Sequence, residues 1–197
     1  MMEQIRIAIV YCSRYGHTRA VAEAVGRGAG KLADVKLYTT VEAVEKMAEL
    51  NAADAIVLGS PTYMGNMASE MKVFLEATVG CWVSRAWSDK IAGGFTNSSN
   101  FSGDKLNTLQ GMMITCMQLG MIWVGLNTLP GENDPEAEKT VDGPSPECLN
   151  RNSASLGPMA SSFNVRVPDA PPVGDIVTAE RYGERIATVT ARFKRGA

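Results

Sequence analysis

The chain has 197 residues, of which 45% are apolar and 20% are charged, a balance typical of one globular domain rather than a disordered segment. Its 19 basic and 21 acidic residues give a formal net charge of -2, which argues against a nucleic-acid partner because phosphate binding needs clustered positive charge. No apolar stretch approaches the roughly 20 residues that span a bilayer. The hydrophobic segment at the N-terminus is too short for a secretory signal. The sequence therefore predicts a cytoplasmic protein without a membrane span.

The four cysteines lie far apart in the sequence and form no CxxC pair. Zinc knuckles and iron–sulfur sites need closely spaced thiolates, so the sequence predicts no metal site and reduced thiols. The cysteines are Cys12, Cys81, Cys116 and Cys148.

Five short apolar runs predict β-strands. Near-continuous apolarity, as in DAIVLG, is typical of parallel strands that are covered by helices on both faces. The run 35–38 is weaker because it alternates. In chain order the runs are Ile5–Val10, Val35–Tyr38, Asp54–Gly59, Ile91–Thr96 and Met121–Leu126.

Apolar residues at helical spacing lie between these strands and again near the C-terminus. Strands that alternate with helices predict an α/β fold in which a doubly wound, five-stranded parallel sheet lies between two helix layers, within one domain at 1–197. Ligands of such folds bind outside the carboxyl ends of the strands. The apolar stripes are Val21, Val25 and Ala29, then Met67, Met71, Phe74 and Thr78, and finally Tyr182, Ile186, Val189 and Phe193.

One stretch breaks this alternation. From Asn127 to about Val173 the sequence is dense in Pro, Gly, Asn, Ser and Asp and has little periodicity. Loops longer than about 12 to 15 residues are generally functional or disordered. Because the stretch follows the last predicted strand, on the ligand side, we interpret 127–173 as a loop insertion that acts as a lid or an oligomer contact.

The loop Ser13 to Thr18 joins the end of a strand to the start of a helix and contains the only histidine, His17. The first amides of a helix have no intrahelical partner, and together with the helix dipole and two hydroxyls they suit a phosphate. Gly16 allows a tight turn around an anion, and the absence of Lys distinguishes this loop from nucleoside-triphosphate loops. A monophosphate site is predicted, and an ordinary helix start is the alternative.

Three glycines inside the following helix, Gly26, Gly28 and Gly30, resemble a dinucleotide-binding fingerprint. That fingerprint belongs at the start of a helix, directly after a strand. We therefore interpret these three residues as glycines that permit close packing.

Two more polar loops follow predicted strands. The loop Ser60 to Asn66 combines polar backbone with an aromatic ring and a thioether, which suits a flat ring with hydrogen-bonding edges, although a plain β-turn is the alternative. The loop Thr96 to Gly103 is nearly all donors and acceptors and could alone be any polar turn. Together the three loops predict a pocket for a phosphate, a polyol and a flat heterocycle.

The order YxSxYGH, GSPTxxGNM, FLxxTxGxW and LGM resembles the flavodoxin-like NAD(P)H:quinone oxidoreductases of the WrbA type. The resemblance runs from Ile5 to about Val124 and resumes near Arg181. It implies a flavodoxin-like fold that binds FMN.

The same resemblance implies which residues form the cofactor site. The phosphate would be surrounded by Ser13, Arg14, Tyr15, Gly16, His17 and Thr18. The isoalloxazine side of the site would contain Thr62, Tyr63, Met64, Gly65 and Asn66. The ribityl chain and the pyrimidine edge would meet Asn97, Ser98, Ser99, Asn100, Phe101, Ser102 and Gly103. Two residues match family positions near the nicotinamide nucleotide or the substrate, Tyr15 and Trp82.

The sequence departs from the family pattern around the flavin and the substrate mouth. Tyr63 stands where the family usually has Arg, Leu119 stands where it has His, and 99–102 replaces a glycine-rich loop.

By this resemblance the activity is a two-electron, ping-pong hydride transfer from NADH or NADPH through FMN to a quinone or a similar small aromatic acceptor, with no catalytic side chain required. A homodimer or homotetramer is also implied. Three alternatives stay open: a flavodoxin-type electron carrier, an FMN-binding regulatory protein, and a reductase of flavins, nitro or azo compounds. Carriers are usually strongly acidic, so the net charge of -2 argues against the first.

Overall fold

In a computed structural model, which describes residues 4–136, 141 and 143–196, strands and helices alternate along the chain. The strands are β1 (Arg6–Tyr11), β2 (Asp34–Thr39), β3 (Ala55–Tyr63), β4 (Asn66–Met67), β5 (Ile91–Ser98), β6 (Ile122–Trp123) and β7 (Met159–Ser161). The helices are α1 (His17–Ala29), α2 (Thr40–Glu45), α3 (Met47–Asn51), α4 (Ser69–Ala77), α5 (Val79–Ser84), α6 (Lys105–Gln118) and α7 (Val173–Gly196).

The predicted parallel sheet is confirmed, with the strand order β2-β1-β3-β5-β6. The chain winds outward in both directions from β1, which is the doubly wound arrangement. Successive residues of β1 point to opposite faces, so Ile7 and Ile9 contribute to one core layer while Ala8 and Val10 contribute to the other. One layer packs against α1 and α7, and the other packs against α2, α4 and α6, so the fold has three layers.

The helix α6 is absent from the sequence-based prediction. Its buried residues, Leu109, Met112 and Cys116, have helical spacing. Exposed apolar residues such as Ile114 and Met117 interrupt the stripe and conceal it.

The apolar stripe predicted to be helical from Met67 begins two residues before its helix. Met67 pairs with Thr62 across a short antiparallel hairpin, so α4 begins only at Ser69.

The edge strand of the sheet is divided into two pieces, which corrects the prediction of one strand at 121–126 followed by one loop. Ile122 pairs with Ile91 near the start of β5, and Met159 pairs with Thr96 near its end. The chain leaves the sheet after β6 and returns to the same neighbour at β7. Glycine permits the close return, since any side chain at Gly157 would collide with the Gly94 carbonyl oxygen of β5.

Within the described part of the chain, no helix has both the length and the apolar character needed to cross a bilayer.

Candidate functional site

A cleft of about 680 Å³ lies at the carboxyl ends of β1, β3 and β5. A fourth wall comes from the segment Ser162–Val167, which follows β7 and which we call the strap. None of the residues that line the cleft is Asp or Glu. The lining residues are Ser13, Tyr15, His17, Thr18, Pro61, Thr62, Tyr63, Asn97, Ser98, Ser99, Ser162, Asn164, Val165, Arg166 and Val167.

The loop after β1 forms an open helix N-terminus. Gly16 is the N-cap of α1, has φ +90°, and has no side-chain cap. Its amide donates to Ser13 Oγ at 3.1 Å, and its carbonyl accepts from Ala20 N at 2.9 Å. The first backbone amides of α1 therefore stay unpaired and can donate hydrogen bonds to an anion. Thr18 is buried beside them.

Arg14 does not line the cleft, although the sequence places it at the phosphate. Its guanidinium turns outward, where Nε donates to Glu70 Oε1 at 2.7 Å and Nη2 donates to Glu70 Oε2 at 3.0 Å. The same guanidinium lies 5.4 Å from the centre of the Tyr63 ring. The two hydrogen bonds from Arg14 lower the pKa of Glu70 to about 2. A bidentate pair with a carboxylate and the adjacent ring thus hold this cation outside the lining.

The end of β3 supplies a rigid floor. Thr62 is buried, and its Oγ1 is hydrogen-bonded at 2.8 Å both to Thr96 Oγ1 and to Thr108 Oγ1. Tyr63 follows at the edge of the cleft, half-buried. Met64 and Gly65 form the tip of the β3–β4 hairpin, where both have positive φ, and the Met64 side chain is fully exposed rather than part of the lining.

The carboxyl end of β5, which extends to Ser98 and so into the predicted loop 96–103, contains an unpartnered acceptor. Asn97 is 5% exposed, and among the described residues its Oδ1 has no hydrogen-bond partner. Its Nδ2 donates to Ser162 Oγ at 3.3 Å. Buried polar atoms are almost always hydrogen-bonded, so Oδ1 is left to accept a hydrogen bond from water or from a bound molecule.

The strap connects two of the predicted loops. Its first residues pair with the end of β5 and the residue after it, since Ser162 N and Phe163 N donate to Ser98 O and Ser99 O at 3.0 and 2.8 Å. Further along, Val165 O accepts from His17 Nε2 at 2.7 Å. The strap therefore runs along one side of the cleft from β5 to the start of α1.

A buried lysine anchors the base of the strap. Lys105 is fully buried, and its Nζ donates to Asn100 O, Asn152 Oδ1, Ala160 O and Ser161 Oγ at 2.6 to 3.2 Å. Burial lowers the pKa of Lys105 to about 7 and raises that of the neighbouring Asp175 to about 6. Sequence reasoning missed this cluster, because a lysine at a helix start reads as an exposed residue.

An arginine and two phenylalanines lie beside this lysine. Arg151 is 8% exposed, and its guanidinium lies 5.0 Å from the Phe101 ring centre and 5.6 Å from that of Phe163. The two rings are in edge contact at 4.9 Å. Phe101 thus contacts the strap through Phe163 instead of lining the cleft.

Comparison with known proteins agrees with this geometry. Residues 8–85 match the family described as Flavodoxin domain. Flavodoxin FldP of Pseudomonas aeruginosa is 34% identical over 93% of this chain and 96% of that protein. An NAD(P)H dehydrogenase (quinone) of Geotalea uraniireducens is 30% identical over 97% of this chain and 100% of that protein. The crystal structure of a flavodoxin, WrbA-like protein from Agrobacterium tumefaciens is 35% identical, with a TM-score of 0.73, over 95% of this chain and 98% of that one. The chain belongs to the WrbA-type flavodoxin-like family.

The WrbA-type family implies FMN as the cofactor, and the cleft fits that molecule on the structure's own terms. The open N-terminus of α1 offers backbone donors to a phosphate. The unpartnered Asn97 Oδ1 offers an acceptor to an N–H or O–H group. The lining contains no carboxylate that would repel an anion.

Nine of the nineteen site residues expected from the WrbA-type resemblance lie together in the cleft, and the other ten do not. Those in the lining are Ser13, Tyr15, His17, Thr18, Thr62, Tyr63, Asn97, Ser98 and Ser99. Those outside the lining are Arg14, Gly16, Met64, Gly65, Asn66, Asn100, Phe101, Ser102, Gly103 and Trp82. Gly16 still shapes the phosphate loop, and Asn66 forms the hairpin that follows Tyr63.

Trp82 lies on α5 and is 45% exposed. In one chain it does not reach the cleft, so the substrate role implied by the WrbA-type resemblance stays a prediction that requires a second subunit. No individual strap residue was expected in the cleft, although the insertion 127–173 that contains the strap was expected on the ligand side, as a lid or an oligomer contact. Their only sequence signal is the short run of small residues before Ser162, which is too weak to identify a strand that returns to the sheet.

The thiol nearest the cleft is unsuited to nucleophilic chemistry. Cys12 is buried, and burial raises the pKa of its thiol to about 11. A neutral thiol is a poor nucleophile, so the cleft offers binding groups rather than a reactive side chain.

Proposed function

We propose that the chain is an FMN-dependent NAD(P)H:quinone oxidoreductase that binds the nicotinamide nucleotide and the quinone in turn, in a ping-pong sequence, at one open face of the cleft. FMN, when bound, supplies the capacity to accept a hydride and to pass on two electrons. The protein's contribution is to bind, to orient and to exclude water. The relatives named NAD(P)H dehydrogenase (quinone) support this activity.

The observation that carries the proposal is the combination, in one cleft, of an open helix N-terminus, a buried acceptor without a partner and a lining without carboxylates. The helix N-terminus suits a phosphate, the buried acceptor suits an N–H or O–H group, and the lining without carboxylates suits a ligand with net negative charge. Flavin mononucleotide has all three properties. A surface for docking another protein would need none of them.

The mouth of the cleft has aromatic side chains on which a second flat molecule, beside the flavin, can stack. Tyr15 is 74% exposed and lines the cleft, as does Tyr63 at the end of β3. Aromatic side chains stack against nicotinamide and quinone rings at near-contact distance, and this positioning supplies much of the rate advantage. We expect Tyr15 to position the nicotinamide and the quinone by stacking, without taking part in proton transfer.

A second candidate function, electron carriage without a substrate, is favoured by the 34% identity to Flavodoxin FldP. The two candidates differ in whether NAD(P)H itself reduces the protein.

We also expect a cytoplasmic location and a homodimer or homotetramer, in which Trp82 of one subunit would complete the site of another.

The test is an anaerobic titration of FMN-reconstituted protein followed by visible absorbance. Addition of NADPH or NADH should bleach the flavin band, and later addition of benzoquinone should restore it. Free FMN at the same concentration is the control for uncatalysed reduction. A bound flavin that neither nucleotide bleaches faster than free FMN would refute the oxidoreductase and favour the carrier.

A further inference from the structure

The phosphate loop lacks a cation of its own in the cleft. A phosphate monoester carries nearly two negative charges near neutral pH. Arg14, the only Arg or Lys between Ser13 and Thr18, is hydrogen-bonded twice to Glu70 outside the cleft. If the cleft binds FMN as proposed above, the phosphate must be neutralised by the helix N-terminus alone or by a residue from elsewhere.

The strap brings one cation to this position. Arg166 lies between two strap residues that contact the first turn of α1. On one side Val165 O accepts from His17 Nε2 at 2.7 Å. On the other side Val167 packs against the N-cap, where a Cβ on Gly16 would lie 3.2 Å from Val167 Cγ2. Both neighbours are thus fixed at the anion-binding end of the helix.

The Arg166 side chain is available for a ligand. It is exposed and lines the cleft together with Ser13, His17 and Thr18. No hydrogen bond or ion pair joins its guanidinium to any other residue that the structure describes, whereas Arg14 has both. Because no Asp or Glu lines the cleft, Arg166 is the one permanently charged side chain of the lining.

We propose that Arg166 is the phosphate-binding cation of the cofactor site, delivered by the strap, and that it makes the site selective for FMN over riboflavin. A guanidinium presents N–H donors in a planar fork that matches two phosphate oxygens. The predicted phosphate loop thus supplies the backbone amides, and the insertion supplies the charge. The proposal rests on the proposed function, since it concerns the same flavin site.

The test measures binding of FMN and of riboflavin separately, in the absence of nicotinamide nucleotide. Apoprotein is titrated with each flavin, and quenching of flavin fluorescence gives the two dissociation constants. Arg166→Gln should weaken FMN binding about 10- to 100-fold, the loss expected for a charge-assisted hydrogen bond, and change riboflavin binding less than about twofold. Arg166→Lys should retain most of the preference. Arg14→Gln is the matched control, and it should leave the FMN-to-riboflavin ratio unchanged.

The outcomes separate this inference from the proposed function. If wild-type protein binds FMN and Arg166→Gln keeps the wild-type ratio, the inference is wrong while the flavin site stands. The same holds if the ratio falls in Arg14→Gln instead, or if Arg166→Gln raises only the KM for NADPH. If wild-type apoprotein binds neither flavin, the proposed function fails and the inference fails with it. Unchanged riboflavin affinity also shows that the variant is folded.

Discussion

Replacement of Gly28 by alanine should push two helices apart, because Gly28 lies where α1 and α7 meet backbone to backbone. A Cβ on Gly28 would overlap the carbonyl oxygen of Glu180 and lie 2.7 Å from its carbonyl carbon. Ordinary van der Waals contacts of a Cβ begin at 3.4 Å. The obstacle is backbone, which has no rotamer to change, so the helices would have to separate by roughly 1.5 Å in a close-packed layer.

The expected cost follows from two opposing effects. Overpacking costs about 1–3 kcal/mol, and the upper end applies because the contact is with backbone. Alanine favours the helix interior over glycine by about 1 kcal/mol. The net loss in the free energy of unfolding is therefore about 2 kcal/mol for Gly28→Ala, or a Tm lower by about 4–8 °C for a chain of this length.

The same helix offers a matched control. At Gly26 a Cβ would lie 3.0 Å from Leu37 Cδ1, the end of a flexible and partly exposed side chain. Gly26→Ala therefore gains the same helix propensity without the backbone clash and should change stability by less than about 1 kcal/mol. Urea unfolding of both apoproteins measures the difference. Equal midpoints for the two variants would contradict the close-packing interpretation of Gly28.

Two further predictions concern the cleft and the buried cluster behind it. Asn97→Leu removes the unpartnered acceptor and should weaken FMN and riboflavin alike, by about tenfold, as seen in fluorescence titration; a loss confined to FMN would be inconsistent with this role. For Asp175, burial raises the pKa from 3.8 in the unfolded chain to about 6 in the folded one, so the folded state binds the proton more tightly. The stability of wild type relative to Asp175→Asn should therefore fall by about 3 kcal/mol in total as the pH rises from about one unit below 3.8 to about one unit above 6. Urea unfolding across that range measures the difference, and a flat or rising difference would contradict the prediction.

The sequence predicts those parts of the site that depend on one strand and the loop after it. Ser13, Thr62 and Asn97 each follow or end a buried strand, and parallel strands bring their carboxyl ends to one edge of the sheet. A local pattern is sufficient in each case. The doubly wound sheet is predictable for the same reason, because each apolar run reports its own burial.

The outward turn of Arg14 and the position of the strap are not local properties. Arg14 turns away because Glu70, on a different helix, lies within hydrogen-bond distance, which no spacing along the chain reveals. The strap reaches the cleft because the edge strand divides at Trp123 and resumes at Met159 beside the same neighbour. A two-residue strand and a three-residue strand carry too little periodicity to be recognised.

Division of the edge strand also determines how firmly the strap is held. A loop that merely followed the last strand would be tied to the sheet at one end. Here β7 pairs with β5 directly before the strap, and Lys105 joins the backbone of β7 to the loop after β5 at Asn100. One buried amino group with acceptors from both segments fixes their relative positions, since moving either segment would leave buried polar groups without hydrogen-bond partners. The strap therefore begins at a rigid base, and its other end is held by the contacts of Val165 and Val167 with the start of α1. A cation on a segment held at both ends is preorganised to bind a phosphate. For this reason we infer that Arg166 of the insertion can supply the positive charge that the loop Ser13 to Thr18 does not bring into the cleft.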